Sequence, residues 1–258
     1  MRLCRFHAAH GVQFGRVVDD VIVPLAGNAF GDWREAGAPI PLADAILAPP
    51  TIPSSFFCAG LNYSRHIEEA QRRGNTSAKL PERPDVGHRS NNALIGHGQV
   101  IIKPPDCEGR FEYEAELVAV IGRQLRGASR NEAADGIFGW TIGNDVSARV
   151  WQHSDRTFWR AKNADTFKPM GPWIDTEATP LQGDATVRVN GVETSRFRTD
   201  SMIYSAVDFI VEITRYVTMQ PGDVLWLGTD GMGALAPGDT VAITIDGLAT
   251  LSNPVVAG

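Results

Sequence analysis

The sequence predicts an α+β protein dominated by β-structure, a mixed sheet or β-sandwich carrying short helices. Three observations lead there. Glycine and proline are abundant, 26 and 16 in 258 residues, which calls for many turns. Short β-prone runs bounded by turn residues recur from one end of the chain to the other. Apolar residues at helical spacing are confined to a few short windows.

In order along the chain, residues 1–50 read as a small N-terminal β subdomain. RLCRF, GVQFGRVV and DVIVPL are its strands, and PLADAILAPP closes it with a short helical piece. Pro49, Pro50 and Pro53 mark a boundary, because proline disfavours helix at and before itself. The remainder, 51–258, reads as one larger domain. SSFFCAG is a buried strand and NYSRHIEEAQRRG a helix. Residues 75–92 are polar and proline-bearing and read as an exposed or mobile loop. QVIIKPP and ELVAVIG are strands, NEAADGIFGW starts as a helix, and 150–167 is ambiguous. ATVRVNGVETSRF carries Asn190-Gly191 between alternating residues, the strongest local hairpin signal. SAVDFIVEITRYVT is helical by spacing. Two Pro-Gly-Asp turns then launch the strands VLWLG and VAITI.

Composition narrows the function. At 43% hydrophobic and 21% charged residues, this is an ordinary globular chain. A net charge of −6 without a basic cluster argues against nucleic acid and against an anionic membrane surface as partners. No apolar run approaches the roughly 20 residues that cross a bilayer. MRLCRFHAAHGVQFG lacks the apolar core of a signal peptide, so a cytoplasmic location is expected. Cys4, Cys58 and Cys107 fit neither a disulfide framework nor a zinc spacing. Nucleotide-binding motifs of the GxGxxG or GxxxxGK[ST] type are absent.

The most informative stretch is FEYEAELVAVIG. Glu112, Glu114 and Glu116 fall on every second residue and so face one side of a strand. Like charges stacked this way need water or a cation, and hard divalent ions favour carboxylate oxygens. A solvated strand entrance is the alternative. Asp145 in GWTIGNDVSARVWQ follows an apolar run, where a lone buried charge is costly. It is either paired or coordinated, or caps a helix starting at SARVWQ. His66 and Glu69 are spaced i, i+3 on the early helix, either as an ordinary surface pair or as a dyad that activates water. Lys162, among Trp159, Phe167, Pro169 and Pro172, is expected to be partly buried with an anionic partner or a lowered pKa.

In this order the pieces CAGLNYSRHIEEA, EYEAELVAVIG, GNDVSAR, AKNADTFKPMGP, VNG, MQPGDVLWLGT and IDGLATLSNPV resemble the fumarylacetoacetate hydrolase superfamily over residues 54–255. The resemblance implies that family's mixed β-sandwich or roll, a homodimer, and a site for Mg²⁺ or Mn²⁺, with Ca²⁺ as a further candidate. It implies Glu114, Glu116 and Asp145 as metal ligands, leaving Glu112 out. It implies His66 and Glu69 as the water-activating dyad, Lys162 as the lysine that meets the substrate, and Gln152 and Thr229 as substrate contacts. The chain departs from many members at Leu61, Val150 and Asp230. These positions bear on the substrate pocket, where Arg156, Arg160, Arg196 and Arg198 are candidate carboxylate contacts or ordinary surface charge.

The implied substrate is a small anionic 2-oxo acid. The first reading of the reaction is hydrolysis of a C–C bond in a 2,4-dioxo acid of the acylpyruvate or fumarylpyruvate type, giving pyruvate and a carboxylic acid. The second is isomerisation or decarboxylation of a 2-hydroxydienedioate or oxaloacetate-type compound. A more distant reading is a catalytically silent metal-binding protein. Residues 72–92, with Arg72, Arg73, Arg83, His88 and Arg89, are either a lid over the site hinged at Gly74 and Gly87 or a plain surface loop.

Overall fold

The computed structural model describes residues 1–72, 79–152 and 154–258; the side chains of His66, Glu69 and Ala70 also lie outside that description. Arg2–Ala8 (β1), Gly11–Val18 (β2) and Val21–Gly27 (β3) form an antiparallel meander. Trp33–Glu35 (β4), Ile40–Pro41 (β5) and Leu47–Ala48 (β6) are short pairings upon it. Between β5 and β6 lies a single 3-10 turn, Leu42–Asp44. This N-terminal unit is not detached from the rest. β1 pairs with the later strand Lys168–Asp175, so the meander prolongs the main sheet.

The larger region begins with Phe56–Ala59 (β7) and Ser64–Arg72 (α1). Residues 79–92 differ from the expected loop. Val86–His88 (β8) pairs antiparallel with β7, and a 3-10 turn covers Asn91–Ala93. The part of that loop spanning 73–78 lies outside the described residues. Leu94–Ile95 (β9) and Ile101–Lys103 (β10) lead to the central strand, Phe111–Ile121 (β11). Arg130–Asp135 (α2) starts with a capping box between Ser129 and Glu132. It delivers the chain to Ile137–Asn144 (β12) and Ser147–Ala148 (β13).

The ambiguous stretch resolves into two short helices, Arg149–Gln152 (α3) and Trp159–Asn163 (α4), before Lys168–Asp175 (β14). Asp184–Val189 (β15) and Val192–Arg198 (β16) form the expected hairpin. At its turn Asn190 and Gly191 have φ of 52° and 80°, the sign that a two-residue hairpin demands. Ala206–Thr214 (α5) is followed by Val224–Trp226 (β17), Gly231–Ala234 (β18), Thr240–Ile245 (β19) and Ala249–Ala257 (β20).

Two sheets result. The larger runs β4-β3-β2-β1-β14-β12-β11-β17-β7-β8, and the smaller β10-β20-β19-β15-β16. β11 is buried along its whole length, on both faces. One face, with Tyr113, Ala115, Leu117, Ala119 and Ile121, joins the main core. The other carries Val118 and Val120 into a smaller apolar cluster with Phe56, Cys58, Met170 and Trp226. Because side chains alternate, that second face continues through Glu116, Glu114 and Glu112. A single strand surface thus turns from apolar to acidic within the protein interior.

Gly143 on β12 lies beside Glu116 on β11 and permits this packing. A Cβ at Gly143 would stand 2.6 Å from a ring carbon of Trp226, itself fully buried. Gly143→Ala is therefore expected to destabilise the protein by about 1–3 kcal/mol, the usual range for overpacking. Denaturant unfolding measures this; an unchanged midpoint would show that Trp226 can yield.

Candidate active site

The acidic face of β11 meets its partners through strand register. Ala115 pairs with Asn144 at the end of β12. The next residue, Asp145, donates its N–H to the Glu114 carbonyl at 2.9 Å, and Asn144 Oδ1 accepts from the Glu114 N–H at 3.1 Å. Residues 114 and 145 are therefore clamped together by backbone, although 31 positions separate them along the chain. Glu114, Glu116 and Asp145 are all buried, and each offers an oxygen within 4.8 Å of the others.

Cations from several elements surround this triad. Lys162 on α4 donates to Glu114 Oε2 at 2.7 Å and to Asp145 Oδ2 at 3.1 Å. Arg89, just beyond β8, reaches Asp145 Oδ2 at 2.7 Å. Lys168, at the start of β14 and wholly buried, stands 2.5 Å from Asp145 Oδ1. Arg149 on α3 bridges Glu112 Oε2 at 2.7 Å and Glu114 Oε1 at 2.5 Å. Glu116 Oε2 accepts the backbone N–H of Gly228 at 2.7 Å. Gly228 has φ of +80°, a conformation that glycine adopts without strain.

The electrostatics are divided between the acids. Burial pushes Glu116 up to about 8, and the neighbouring Asp145 and Glu114 charges push the same way. Burial also opposes the Asp145 anion, but Arg89, Lys162 and Lys168 overcome it and hold this carboxyl well below the usual range. Burial lowers Lys168 to about 8 against the pull of Asp145. Cys58 sits in the same electrostatic surroundings, its thiol raised to about 12 mainly by burial.

Several sequence expectations change here. The solvated strand entrance is excluded, since Glu112, Glu114 and Glu116 are each at most 4% exposed. Glu112 is held by Arg149 and Arg110. The helix-cap alternative for Asp145 fails, because β13 intervenes before α3 and its carboxylate goes to cations. Lys162 is buried against two carboxylates, as its surroundings suggested. Gln152 Oε1 accepts from Arg149 at 2.9 Å, which ties it to Glu114 through one guanidinium. Thr229 is buried and exchanges hydrogen bonds with the backbone of Gly231. The side chains of His66 and Glu69 lie outside the described residues, so their dyad has no geometry here. Arg160, Arg196 and Arg198 pair with Asp155, with Glu193 and Asp184, and with Asp200, as surface charge does.

The residues fit a divalent cation. Three clustered carboxylates are a hard-ion donor set, and an ammonium already rests between two of them. Burial and the neighbouring Asp145 and Glu114 charges suppress the ionisation of Glu116, whereas cations favour that of Asp145.

A model of the fumarylacetoacetate (FAA) hydrolase C-terminal region matches residues 55–256. The chain belongs to this family. Residues 1–50 match a further model, Rv2993c-like, N-terminal. Within the fumarylacetoacetate hydrolase superfamily, the chain is 37% identical to a solved structure of a 5-carboxymethyl-2-hydroxymuconate delta-isomerase from Mycobacterium smegmatis, with a TM-score of 0.89 over the whole of both chains. It is 32% identical to the mitochondrial oxaloacetate tautomerase Fahd2a of Rattus norvegicus, covering 86% of this chain and 74% of that one. It is 25% identical, with a TM-score of 0.81 over the whole of both chains, to a maleylpyruvate hydrolase from Sphingobium sp. SYK-6 solved with manganese(II) ion and pyruvate. Among the described residues no helix is long and apolar enough to cross a membrane.

For this fumarylacetoacetate hydrolase family member, sequence reasoning missed three parts of the site. Arg89 reads from sequence as part of a lid or of a plain surface loop, yet it is buried against Asp145. Lys168 drew no attention, although a lysine opening an apolar strand must find an anion. The Gly228 N–H is a backbone donor, which side-chain patterns do not reveal.

The raised pKa of Glu116 has a measurable consequence. An unfolded glutamate ionises near 4.5, whereas the folded one holds its proton to about 8. Between those values folding takes up a proton, so stability falls as pH rises, and the loss is complete above the folded pKa. With divalent ions removed by EDTA, the parent is expected to lose melting temperature relative to Glu116→Gln from about pH 5 to about pH 8, then to run parallel. Parallel curves throughout would remove the like-charge argument.

Proposed function

We propose that this chain is a divalent-metal-dependent enzyme that forms and reprotonates the enolate of a 2-oxo acid bearing a second carboxylate. Its reaction is moving a proton, as in keto–enol or double-bond isomerisation. The observation that carries this reading is the placement of buried Lys162 against the Glu114–Asp145 face of the carboxylate triad. When held by Glu114, Glu116 and Asp145, Mg²⁺ or Mn²⁺ supplies a Lewis acid that polarises and orients the 2-oxo group.

The chain's own residues do the rest. Lys162 places its Nζ charge where the enolate oxygen develops negative charge, in a site shielded from water by β11, β12 and β14. Arg89 offers a planar fork suited to a carboxylate. Thr229 and Gln152 line the approach as substrate contacts, a role supported by the family resemblance. The same resemblance gives His66 and Glu69 as a water-activating dyad, and such a base would also serve to take a proton from carbon and return it.

Charge supports the dianionic substrate. Among the described residues, Glu112, Glu114, Glu116 and Asp145 face Arg89, Arg149, Lys162 and Lys168, so the cluster is near neutral when all are ionised. A divalent cation adds positive charge that a dicarboxylate balances. Isomerisation is placed ahead of the hydrolysis that the sequence put first, because the relatives at 37% and 32% identity carry the names of an isomerase and a tautomerase. Hydrolytic C–C cleavage is the second reading, favoured by the likeness to the maleylpyruvate hydrolase.

An assay of oxaloacetate, a 2-hydroxydienedioate, acylpyruvates and fumarylpyruvate, with Mg²⁺, Mn²⁺ or EDTA, tests this. The expected result is a metal-dependent change in enol absorbance without pyruvate release. Stoichiometric pyruvate release would establish hydrolysis instead, and no turnover with any metal would refute the enzyme reading. Lys162→Met is expected to lower kcat/KM by roughly 10²–10³, the scale of losing one preorganised charge-stabilising group, while Mn²⁺ binding persists by calorimetry.

A further inference from the structure

Two kinds of cation touch the triad, and they are anchored differently. Lys162 Nζ donates to two carboxylates, at Glu114 Oε2 and Asp145 Oδ2. Lys168 Nζ, in contrast, also donates to the backbone carbonyls of Val146 at 3.1 Å and Phe167 at 2.9 Å. Its three ammonium hydrogens thus match three acceptors: two peptide oxygens of the scaffold and Asp145 Oδ1. It is 0% exposed, at the start of β14 where it pairs with Leu94 of β9.

Arg149 is fixed in a similar way. Nε binds Glu112 Oε2, Nη1 binds Gln152 Oε1, and only Nη2 turns to Glu114 Oε1. Glu116 Oε2 is taken by the Gly228 N–H, a main-chain donor. Asp145 Oδ1 also accepts from Arg89 Nε at the longer distance of 3.2 Å. At least one oxygen of every carboxylate in the triad is therefore held by a donor built into the fold.

We infer that Lys168, with Arg149, sets the metal preference of the site by retaining one oxygen of Asp145 and of Glu114, so that each carboxylate gives the ion a single oxygen. Ca²⁺ takes 6–8 oxygens and commonly uses carboxylates through both, whereas Mg²⁺ takes six at shorter range with one oxygen from each. Retaining the outer oxygens removes the extra donors that Ca²⁺ needs. This disfavours the third ion that the sequence left open. The inference rests on the triad being the metal site proposed above.

Lys168 is a positioning residue, and the test must separate positioning from plain charge. Removing its charge strengthens binding of every divalent cation, but only the release of Asp145 Oδ1 changes the ratio between ions. The ratio of the Ca²⁺ to the Mg²⁺ dissociation constant is measured by calorimetry, or by competition with Mn²⁺ followed by electron paramagnetic resonance. In the parent, Ca²⁺ is expected to bind more weakly than Mg²⁺. In Lys168→Met, where Asp145 Oδ1 keeps only the longer 3.2 Å bond from Arg89 Nε, that ratio is expected to fall about tenfold, as this oxygen can turn to the ion.

A second variant, Glu112→Gln with Arg149→Met, removes the Arg149 bond to Glu114 Oε1 without stranding Glu112 as a buried anion, and is expected to shift the ratio in the same direction. It carries the test if circular dichroism shows that Lys168→Met does not fold. An unchanged ratio in folded variants that bind Mn²⁺ overturns the inference and leaves the metal site standing. Absence of any divalent binding by the parent overturns both.

Discussion

Three carboxylates buried side by side are the constraint around which this molecule is arranged. Each would sit at most 4% exposed among its like-charged neighbours, and an uncompensated charge in such a place is among the costliest features a fold can contain. The compensation comes from four separated segments. Arg89 follows an edge strand, Lys162 lies on a short helix, Lys168 opens β14, and Arg149 opens α3. None of these elements is long, and the helices α3 and α4 span only 4 and 5 residues. Their positions are fixed less by helix propensity than by ion pairs and by packing against β11 and β13.

The same constraint explains the plainness of the floor beneath the site. β11 is buried on both faces and therefore reads as a nearly continuous apolar run after its acidic beginning. Beside Glu116, β12 must carry glycine because Trp226 occupies the space a side chain would need. The Gly228 turn must present an N–H to Glu116 rather than a side chain. Acid, glycine and backbone donor thus occupy adjoining places for one reason: the acids need close polar partners and the core leaves little room for anything else.

Much of this was legible in the sequence. Period-two spacing placed Glu112, Glu114 and Glu116 on one face, and Asn190-Gly191 marked the hairpin. The burial of that face was not legible, because glutamates at a strand entrance are usually wet, and only the long-range pairing of β11 with β12, β13, β17 and β18 closes it off. Asp145 was suspect from its apolar surroundings, yet its meeting with Glu114 depends on antiparallel register across 31 positions. Arg89 was misread because its neighbours in sequence are polar and its partner is remote. β8 supplies the missing fact: pairing with β7 turns a loop-like stretch into an edge strand and brings the arginine inward.

The division between fixed and variable parts bears on chemistry. The triad, Lys168 and the Gly228 turn are mounted on paired strands or on the turn directly after one. Arg89, Lys162, Arg149 and Gln152 are mounted on short helices and strand ends. On the function proposed above, a floor of the first kind would hold a cation and stabilise an enolate whatever the substrate's far end looks like. Relatives with isomerase, tautomerase and hydrolase names share such a fold over most or all of this chain. On the same proposal, what separates the outcomes is whether water reaches the distal carbonyl, expelling the enolate, or only a proton moves to and from the enolate carbon. That decision belongs to the short helices and loops around the floor, where insertions and substitutions are tolerated without disturbing the buried charges.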